Sequence, residues 1–166
     1  MPWLTPDEHT RRVEAARDIV LRRLDRCAAP RAVLARTLER RGIDPHVAKE
    51  ALDRLEAAGV VDDRAYAAAL ARTRFAEKGA ARRAIAEELR LKGVGEGPIR
   101  AALTQVDDED EAAAALALAR RKLAATRGLD PDVRRRRALA LLGRKGYSAT
   151  AAADAVDAAW AEAEGA

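Results

Sequence analysis

The chain has 166 residues and a net charge of +4, with 31 basic against 27 acidic residues. No apolar run is long enough to cross a membrane, no basic-then-apolar segment opens the sequence, and its single cysteine cannot form an internal disulfide. These features exclude a transmembrane protein and a disulfide scaffold, and we expect a cytoplasmic protein. Ala, Leu, Arg and Glu dominate while aromatic residues make up 3%, a composition that favours helices.

Three helices are predicted in the first third of the chain, at about 5–26, 30–42 and 44–59. The segment Thr5-Pro6-Asp7-Glu8 predicts a capping box with proline at the first helical position, and Asp44-Pro45 predicts another capped start. The second and third helices each end at a glycine. Apolar residues three or four positions apart form the expected core stripes, namely Val13, Ala16, Val20, Leu24, Leu34, Leu38, Ala48, Leu52 and Leu55.

The rest of the chain repeats this pattern of caps and glycine stops. The predicted helices are one capped by Asp62 or Asp63 that ends at Gly79, one that ends at Gly93, one opened by Gly97-Pro98, one begun by the acidic run 107–111, one capped by Asp130 and one capped by Ser148. Their expected inward residues are Tyr66, Leu70, Phe75, Ile85, Leu89, Ile99, Leu103, Val106, Leu116, Ala119, Leu123, Ala138, Leu142, Ala152, Val156 and Trp160.

One short pattern occurs three times, at intervals of about fifty residues. It consists of a leucine, two variable residues, a basic residue, a glycine and an apolar residue, at 38–43, 89–94 and 142–147. Each copy is followed, fourteen residues after its leucine, by an apolar residue that an alanine precedes. Such a recurrence is typical of repeat proteins, in which stacked units form a surface suited to a partner.

We therefore predict an all-α fold of three tandem three-helix repeats, about nine helices, stacked into an elongated, curved array. The predicted division is an N-terminal lead-in over 1–12, followed by repeats over 13–61, 62–106 and 107–166. Of the three repeats, the middle one has the largest excess of basic over acidic residues.

Two groups of cations are candidates for contact with an anionic partner. Arg82 and Arg83 stand near a helix start, where their charge opposes the helix dipole, so an anionic partner would relieve that cost. The arginine run 134–137 fans around almost the whole helix circumference, so it must project or meet anions. The candidate residues for binding a partner or DNA are Arg72, Arg74, Lys78, Arg82, Arg83, Lys92, Arg134, Arg135, Arg136, Arg137, Arg144 and Lys145.

Each group also has a simpler interpretation. The arginine run could be a solvated helix start, and Lys78 is favourable at a helix C-terminus without any partner. The pair Asp62 and Asp63 resembles catalytic carboxylates, but a position before a helix favours capping. The acidic run 107–111 lacks the spacing of metal ligands. We therefore expect no enzyme, no metal, no cofactor and no small-molecule substrate.

The middle repeat carries the residues of a known family. The sequence resembles the core signature of RecX regulatory proteins at Leu55-Glu-Ala-Ala-Gly59-Val-Val-Asp62-Asp63-Arg-Ala-Tyr66-Ala67, Arg72-Thr-Arg74, Lys78-Gly79, Ile85, Glu88-Leu89 and Lys92-Gly93-Val94. The outer repeats resemble the family mainly in the spacing of the recurring pattern. The chain departs from the family pattern at Tyr66, Ala81 and Ala84, where phenylalanine, glycine and arginine are common; the nearby Arg82 and Arg83 are candidates to replace that arginine.

The resemblance implies a regulator of the RecA recombinase that acts in homologous recombination, DNA repair and the SOS response. Such a protein would bind the RecA filament on single-stranded DNA in its groove, and would dampen strand exchange, ATP hydrolysis and co-protease activity. Contact with DNA phosphates inside the filament is left open, and we expect a monomer. The alternative is a direct, sequence-independent DNA-binding protein of helix-turn-helix type. The last helix argues against that alternative, because it has four acidic residues and no basic residue.

Overall fold

The computed structural model describes residues 7–164, and within them it contains nine helices and no strand. In chain order the helices are α1 (Glu8–Leu24), α2 (Arg31–Arg40), α3 (Pro45–Ala57), α4 (Asp63–Lys78), α5 (Arg82–Leu91), α6 (Glu96–Leu103), α7 (Asp108–Ala125), α8 (Pro131–Arg144) and α9 (Ala149–Glu164). The prediction of an all-α fold with about nine helices is confirmed.

The start of α1 differs from the prediction. Thr5 and Pro6 lie outside the described residues, but Asp7 has an extended backbone, with φ −64° and ψ 168°. Its carboxylate accepts a hydrogen bond from the Thr10 N–H at 2.7 Å. Asp7 is therefore the N-cap and Glu8 is the first helical residue, so the helix begins later than predicted, and the predicted cap at Thr5 lies outside the described residues.

The two adjacent aspartates before α4 cap two different helices. The Asp62 carboxylate accepts from the Ala65 N–H at 2.9 Å and so caps α4. The Asp63 carboxylate accepts from the Arg31 N–H at 2.7 Å, at the start of α2. The residue before α2 is Pro30, whose side chain cannot cap. Asp63 thus supplies the missing cap from 32 residues further along the chain.

The described residues form two compact units. The first comprises those within Met1–Ala67 and Leu89–Ile99, and the second those within Ala68–Glu88 and Arg100–Ala166. This division runs through the middle repeat, and the division of the chain into three repeats stays a prediction. The main core of the first unit consists of Val13, Ala16, Val20, Ala29, Leu34, Leu38, Val47, Ala48, Ala51, Leu52, Leu55 and Val61.

The main core of the second unit lies among α7, α8 and α9. Its buried residues are Ala81, Ala115, Leu118, Ala119, Leu123, Ala138, Leu142, Tyr147, Ala152, Ala155, Val156 and Ala159. The sequence analysis placed Leu116 inward on α7, whereas the structure buries Leu118 and leaves Leu116 only partly buried at the edge of this core. Two leucines two positions apart cannot both lie at the centre of one helix face, and Leu118 is the one that lies against the turn at Gly79.

The glycine of the recurring pattern packs against the start of another helix. In the first unit, a Cβ added to Gly93 would lie 2.5 Å from the Cβ of Ala32 in the first turn of α2. In the second unit, a Cβ added to Gly146 would lie 2.5 Å from the Cβ of Ala84 in the first turn of α5. Both glycines also have positive φ, at 82° and 93°. Only glycine fulfils both requirements.

The first copy of the pattern has the same backbone but lacks this contact. Gly42 has φ 73°, and an added Cβ would meet nothing within 4 Å. The departure from the family at Ala81 is also accounted for, because no residue other than glycine has positive φ within the described residues. The start of α5 therefore does not require a glycine at position 81.

Substitution of these glycines separates the cost of the backbone conformation from the cost of the contact. We expect Gly42→Ala to lower the free energy of unfolding by about 1 kcal/mol, the cost of a left-handed alanine. Gly146→Ala should cost roughly 2 kcal/mol or more, because Ala84 must also move. Urea denaturation followed by circular dichroism measures both.

The control is Gly143→Ala, at a helical glycine of α8 where an added Cβ meets nothing within 4 Å. This change should leave stability unchanged or raise it by about 0.5 kcal/mol. Equal losses for Gly42→Ala and Gly146→Ala would show that the contact with Ala84 contributes nothing.

Candidate functional site

Three of the twelve candidate cations, Arg74, Arg82 and Arg135, form ion pairs that join helices of the second unit. The Arg74 guanidinium donates to both carboxylate oxygens of Glu88, each at 2.7 Å. Both side chains are partly buried, so this bidentate pair fixes the end of α4 against α5. The Arg82 guanidinium donates to Glu111 at 2.9 and 3.1 Å and also pairs with Asp108.

The environment of Arg82 accounts for its unfavourable place at a helix start. Its backbone N–H donates to Glu111 at 2.7 Å, so one carboxylate caps α5 and neutralises the cation at once. Hydrogen bonds from the guanidinium to Asp108, and then to Glu111, raise the pKa of Arg82 above its usual value. The negative charge that stabilises the N-terminus of α5 therefore comes from α7 of the same chain.

The arginine run on α8 is divided between a packed half and an exposed half. The Arg134 and Arg135 guanidinium carbons lie 4.8 and 5.2 Å from the centre of the Trp160 ring on α9. Arg134 donates to the Leu123 carbonyl at 3.1 Å, and Arg135 pairs with Asp157. The expectation that this whole turn must project or meet anions is thus wrong for Arg134, which an aromatic ring covers.

The exposed half of the run occupies a structurally special place. Counted back from the leucine of the recurring pattern, Arg136 is equivalent to Ala32, six residues before it, and Arg137 is equivalent to Ala84, five residues before it. Ala32 and Ala84 are the two residues that a glycine of the pattern contacts. In addition, α8 begins eleven residues before its leucine, against seven in α2 and α5. In the third predicted repeat, α8 therefore has an additional helical turn at its start. It also has arginines at the two positions where α2 and α5 contact a glycine of the recurring pattern.

Two turns of the second unit are held together by backbone contacts. The Ala81 N–H donates to the Lys145 carbonyl at 2.9 Å, and the buried Tyr147 hydroxyl donates to the Gly79 carbonyl at 3.0 Å. We call residues 78–83 and 144–147 the paired turns. Five candidate cations lie on them. Arg82 is paired with Asp108 and Glu111, and none of the other four forms an ion pair with a carboxylate within residues 7–164. These four cations are Lys78, Arg83, Arg144 and Lys145.

The remaining candidates lie apart from the paired turns. Arg72 is exposed on α4, and its guanidinium donates to the Gln105 side chain at 3.4 Å. Lys92 is partly buried in the first unit, where its carbonyl accepts from Arg36 at 3.4 Å. The structure thus brings five of the twelve candidates together on the paired turns, and four of these five have no carboxylate partner among the described residues.

The carboxylate partners of the paired arginines are not recognisable from the sequence pattern. Glu88, Glu111 and Asp157 lie 14, 29 and 22 residues from their arginines along the chain. The acidic run 107–111 was interpreted as a helix N-terminus, which is correct, because Asp107 and Asp110 form a capping box. Its further role as a counter-charge for Arg82 could not be found without knowing where α5 lies.

Other kinds of site have little support in the described part of the chain. No group of three or more His, Cys, Asp or Glu side chains within residues 7–164 could hold a metal ion. None of the helices described is long and apolar enough to cross a membrane.

Comparison with known proteins identifies the repeats. Residues 62–103 match the second three-helix domain of RecX, and residues 108–156 match the third three-helix domain of RecX. The chain belongs to the RecX family. The two matched segments cover Arg72 to Lys92 and the arginine-rich α8, so all twelve candidate cations lie within RecX domains.

Curated relatives and solved structures agree with this assignment. The chain is 47% identical over 134 residues to the regulatory protein RecX of Thermobifida fusca, covering 81% of this chain and 72% of that protein. It is 47% identical over 136 residues to that of Streptomyces coelicolor, covering 82% and 72%. A crystal structure of regulatory protein RecX matches with a TM-score of 0.76 and 25% identity over 91% of this chain and 78% of that one.

A second crystal structure, of RecX from Lactobacillus salivarius, supports the fold alone. It matches with a TM-score of 0.76 at 18% identity and covers 92% of this chain and 96% of that chain.

Tyr147 connects the recurring pattern to the paired turns of this RecX chain. Its burial, and secondarily the nearby charge of Glu111, raise the pKa of the Tyr147 hydroxyl to about 12. The neutral hydroxyl is the form that donates to the Gly79 carbonyl. Its contribution to stability is therefore complete below pH 10, the pKa of an unperturbed tyrosine, and is lost as the pH rises from 10 towards 12.

We expect Tyr147→Phe to lower the free energy of unfolding by about 1 kcal/mol near neutral pH, because the Gly79 carbonyl loses its donor. The difference between the native chain and this variant should shrink as the pH rises through that window. Urea denaturation at several pH values measures it, with Tyr66→Phe as the control that leaves the Tyr147 titration in place. A constant difference between the two proteins across this range would contradict the assignment.

Proposed function

We propose that this RecX protein binds the RecA filament on single-stranded DNA, in its groove and in the cytoplasm, and dampens strand exchange, ATP hydrolysis and co-protease activity. Membership of a family of regulatory proteins supports a regulatory role. The observation that carries the proposal is the set of four cations on the paired turns that no carboxylate of the described residues neutralises. RecA is proposed as the protein partner of these cations.

The fixed backbone of the paired turns favours binding to a protein over catalysis. Their backbones are fixed by the hydrogen bonds from Ala81 and Tyr147, so their cations project from a rigid base. A preorganised surface loses little entropy on binding. Lys92 and Arg72 lie elsewhere in the chain and allow further weak contacts, and several weak contacts on one chain gain avidity on a polymer.

Direct binding to DNA through a helix-turn-helix is the alternative function, and the last helix of the chain argues against it. On α9, Asp157 pairs with Arg135, and Glu162 accepts from Arg120 at two distances of 2.6 Å. These carboxylates hold the helix to its neighbours and would be repelled from a major groove. A contact with DNA phosphates, insensitive to base sequence, remains compatible with the exposed cations.

Cosedimentation distinguishes the two functions. The protein is incubated at physiological salt either with RecA filaments assembled on single-stranded DNA or with the same DNA alone. We expect preferential retention on the filament. Equal or tighter retention on bare DNA would favour the alternative function.

Removal of two cations from the paired turns tests the site itself. We expect Arg83→Ala with Arg144→Ala to raise the concentration needed for half-inhibition of RecA ATP hydrolysis roughly tenfold, because two exposed ion pairs contribute about 0.5–1 kcal/mol each. The control is Arg121→Ala with Arg127→Ala, two exposed arginines of the same unit outside the paired turns. If both double variants inhibit alike, the paired turns are not the contact surface.

Helicity of all these variants is compared by circular dichroism. Arg74 is not included, because loss of its bidentate pair with Glu88 would disturb the packing of α4 on α5 as well as any contact with a partner.

A further inference from the structure

A second basic site lies in the first unit, in a repeat to which the sequence analysis assigned no binding residue. The C-terminal ends of α1 and α2 enclose an open cavity of about 300 Å³. Its lining consists of Ile19, Arg22, Arg23, Arg26, Thr37 and Arg41. Four of these six residues are arginines, and no carboxylate is among them.

The four arginines have no acidic partner within residues 7–164, which sets them apart from other arginines of the same unit. Arg31 pairs with both Asp53 and Glu56, and Arg54 pairs with Glu50. The carboxylates of α3 thus neutralise arginines on their own side of the unit. The cavity between α1 and α2 receives no such counter-charge.

Only part of the hydrogen-bonding capacity of these arginines is used within the chain. The Arg22 Nε donates to the Asp18 carbonyl at 3.2 Å, and an Arg23 terminal nitrogen donates to the Cys27 carbonyl at 2.9 Å. A guanidinium has five donor hydrogens, so each of these two side chains keeps further donors. Arg26 and Arg41 are exposed and are bound by no carboxylate among the described residues.

The helix ends explain the presence of single cations but not their convergence. A cation near a helix C-terminus is stabilised by the helix dipole. That effect amounts to about half an elementary charge at each end, against four full positive charges around one cavity. Like charges gathered in a concave site raise the local concentration of anions, and such a site binds an anion that fits it.

The chemistry of the lining selects the kind of anion. Guanidinium groups bind phosphate oxygens in bidentate geometry. The lining has no aromatic side chain on which a base could stack. Contacts to the phosphates of a nucleic-acid strand need no base recognition.

We propose that the cavity lined by Arg22, Arg23, Arg26 and Arg41 binds phosphodiester groups of single-stranded DNA without regard to base sequence. This inference goes beyond the proposed function, because it concerns direct contact with DNA and does not depend on action on RecA. It assigns the DNA contact to the first unit, whereas the paired turns lie in the second.

Salt-dependent binding of oligothymidylate tests the proposal. Fluorescence anisotropy measures the affinity of the full chain for a labelled oligonucleotide over a range of salt concentrations. We expect Arg22→Gln with Arg26→Gln and Arg41→Gln to weaken binding roughly tenfold or more at physiological salt. The slope of the logarithm of affinity against the logarithm of salt should become shallower by about 2, since each phosphate contact to a single strand contributes about 0.7.

The matched control removes the same number of charges from the same unit. Arg12→Gln with Arg17→Gln and Arg64→Gln changes three exposed arginines outside the cavity. This control should weaken binding less than about threefold and leave the slope nearly unchanged. If the triple variant of the cavity does not fold, Arg41→Gln alone should still make the slope shallower by about 0.7.

Three outcomes would overturn the proposal. The first is an equal effect of the cavity variant and its control on DNA affinity. The second is binding of inorganic phosphate, measured by calorimetry and lost in the cavity variant, without binding of the oligonucleotide; the site would then serve a free anion.

The third is a cavity variant that loses inhibition of RecA while its DNA affinity stays unchanged, which would assign the arginines to carboxylates of a protein. Loss of DNA affinity with inhibition of RecA retained supports the cavity proposal. Failure of the native chain to be retained on RecA filaments counts against the proposed function alone.

Discussion

A glycine of the recurring pattern lies against the first turn of a helix once in each unit, and the placement of the candidate cations depends on this contact. In the second unit, the missing side chain of Gly146 lets the chain approach Ala84 closely enough for the Ala81 N–H to reach the Lys145 carbonyl. Tyr147 follows directly and donates to Gly79. A side chain in place of the glycine would separate the two turns and their cations.

The same contact has no counterpart at the start of α8 among the described residues. Gly93 meets Ala32 and Gly146 meets Ala84, but the last repeat has Arg136 and Arg137 at the equivalent positions. The Arg134 N–H, equivalent to the donor at Ala81, is used inside α8, where it donates to the Asp130 carbonyl at 3.0 Å. One half of the arginine run of α8 is exposed, and the other half packs on Trp160.

Ion pairing divides the arginines of the chain into structural and accessible sets. Arg74 stands close to the paired turns in sequence and Arg82 lies on one of them, yet each is neutralised by a carboxylate of another helix. Arg83 and Arg144 lie beside them and are not. The regulatory role proposed for this RecX chain therefore falls on the cations that folding leaves without a counter-charge.

The sequence by itself determined the helices, their number and the family. Caps such as Asp44, Asp130 and Ser148 act on N–H groups two or three residues away, so they are visible in a local pattern. The stripes of apolar residues on α1, α2 and α3 were also predicted correctly, because a helical period of three to four residues is local. On α7 the pattern did not separate Leu116, which packs at the edge of the core, from Leu118 two positions on, which is buried in it.

Only the tertiary structure decided which cations remain accessible. Arg82 and Arg83 are neighbours of the same type at a helix start, and no local rule separates them. Folding brings Glu111 to one of them across 29 residues and leaves the other exposed. Likewise, the arginines at the ends of α1 and α2 converge on one cavity only after the two helices pack together. Charge acts through distances in space, and the packing of helices sets those distances.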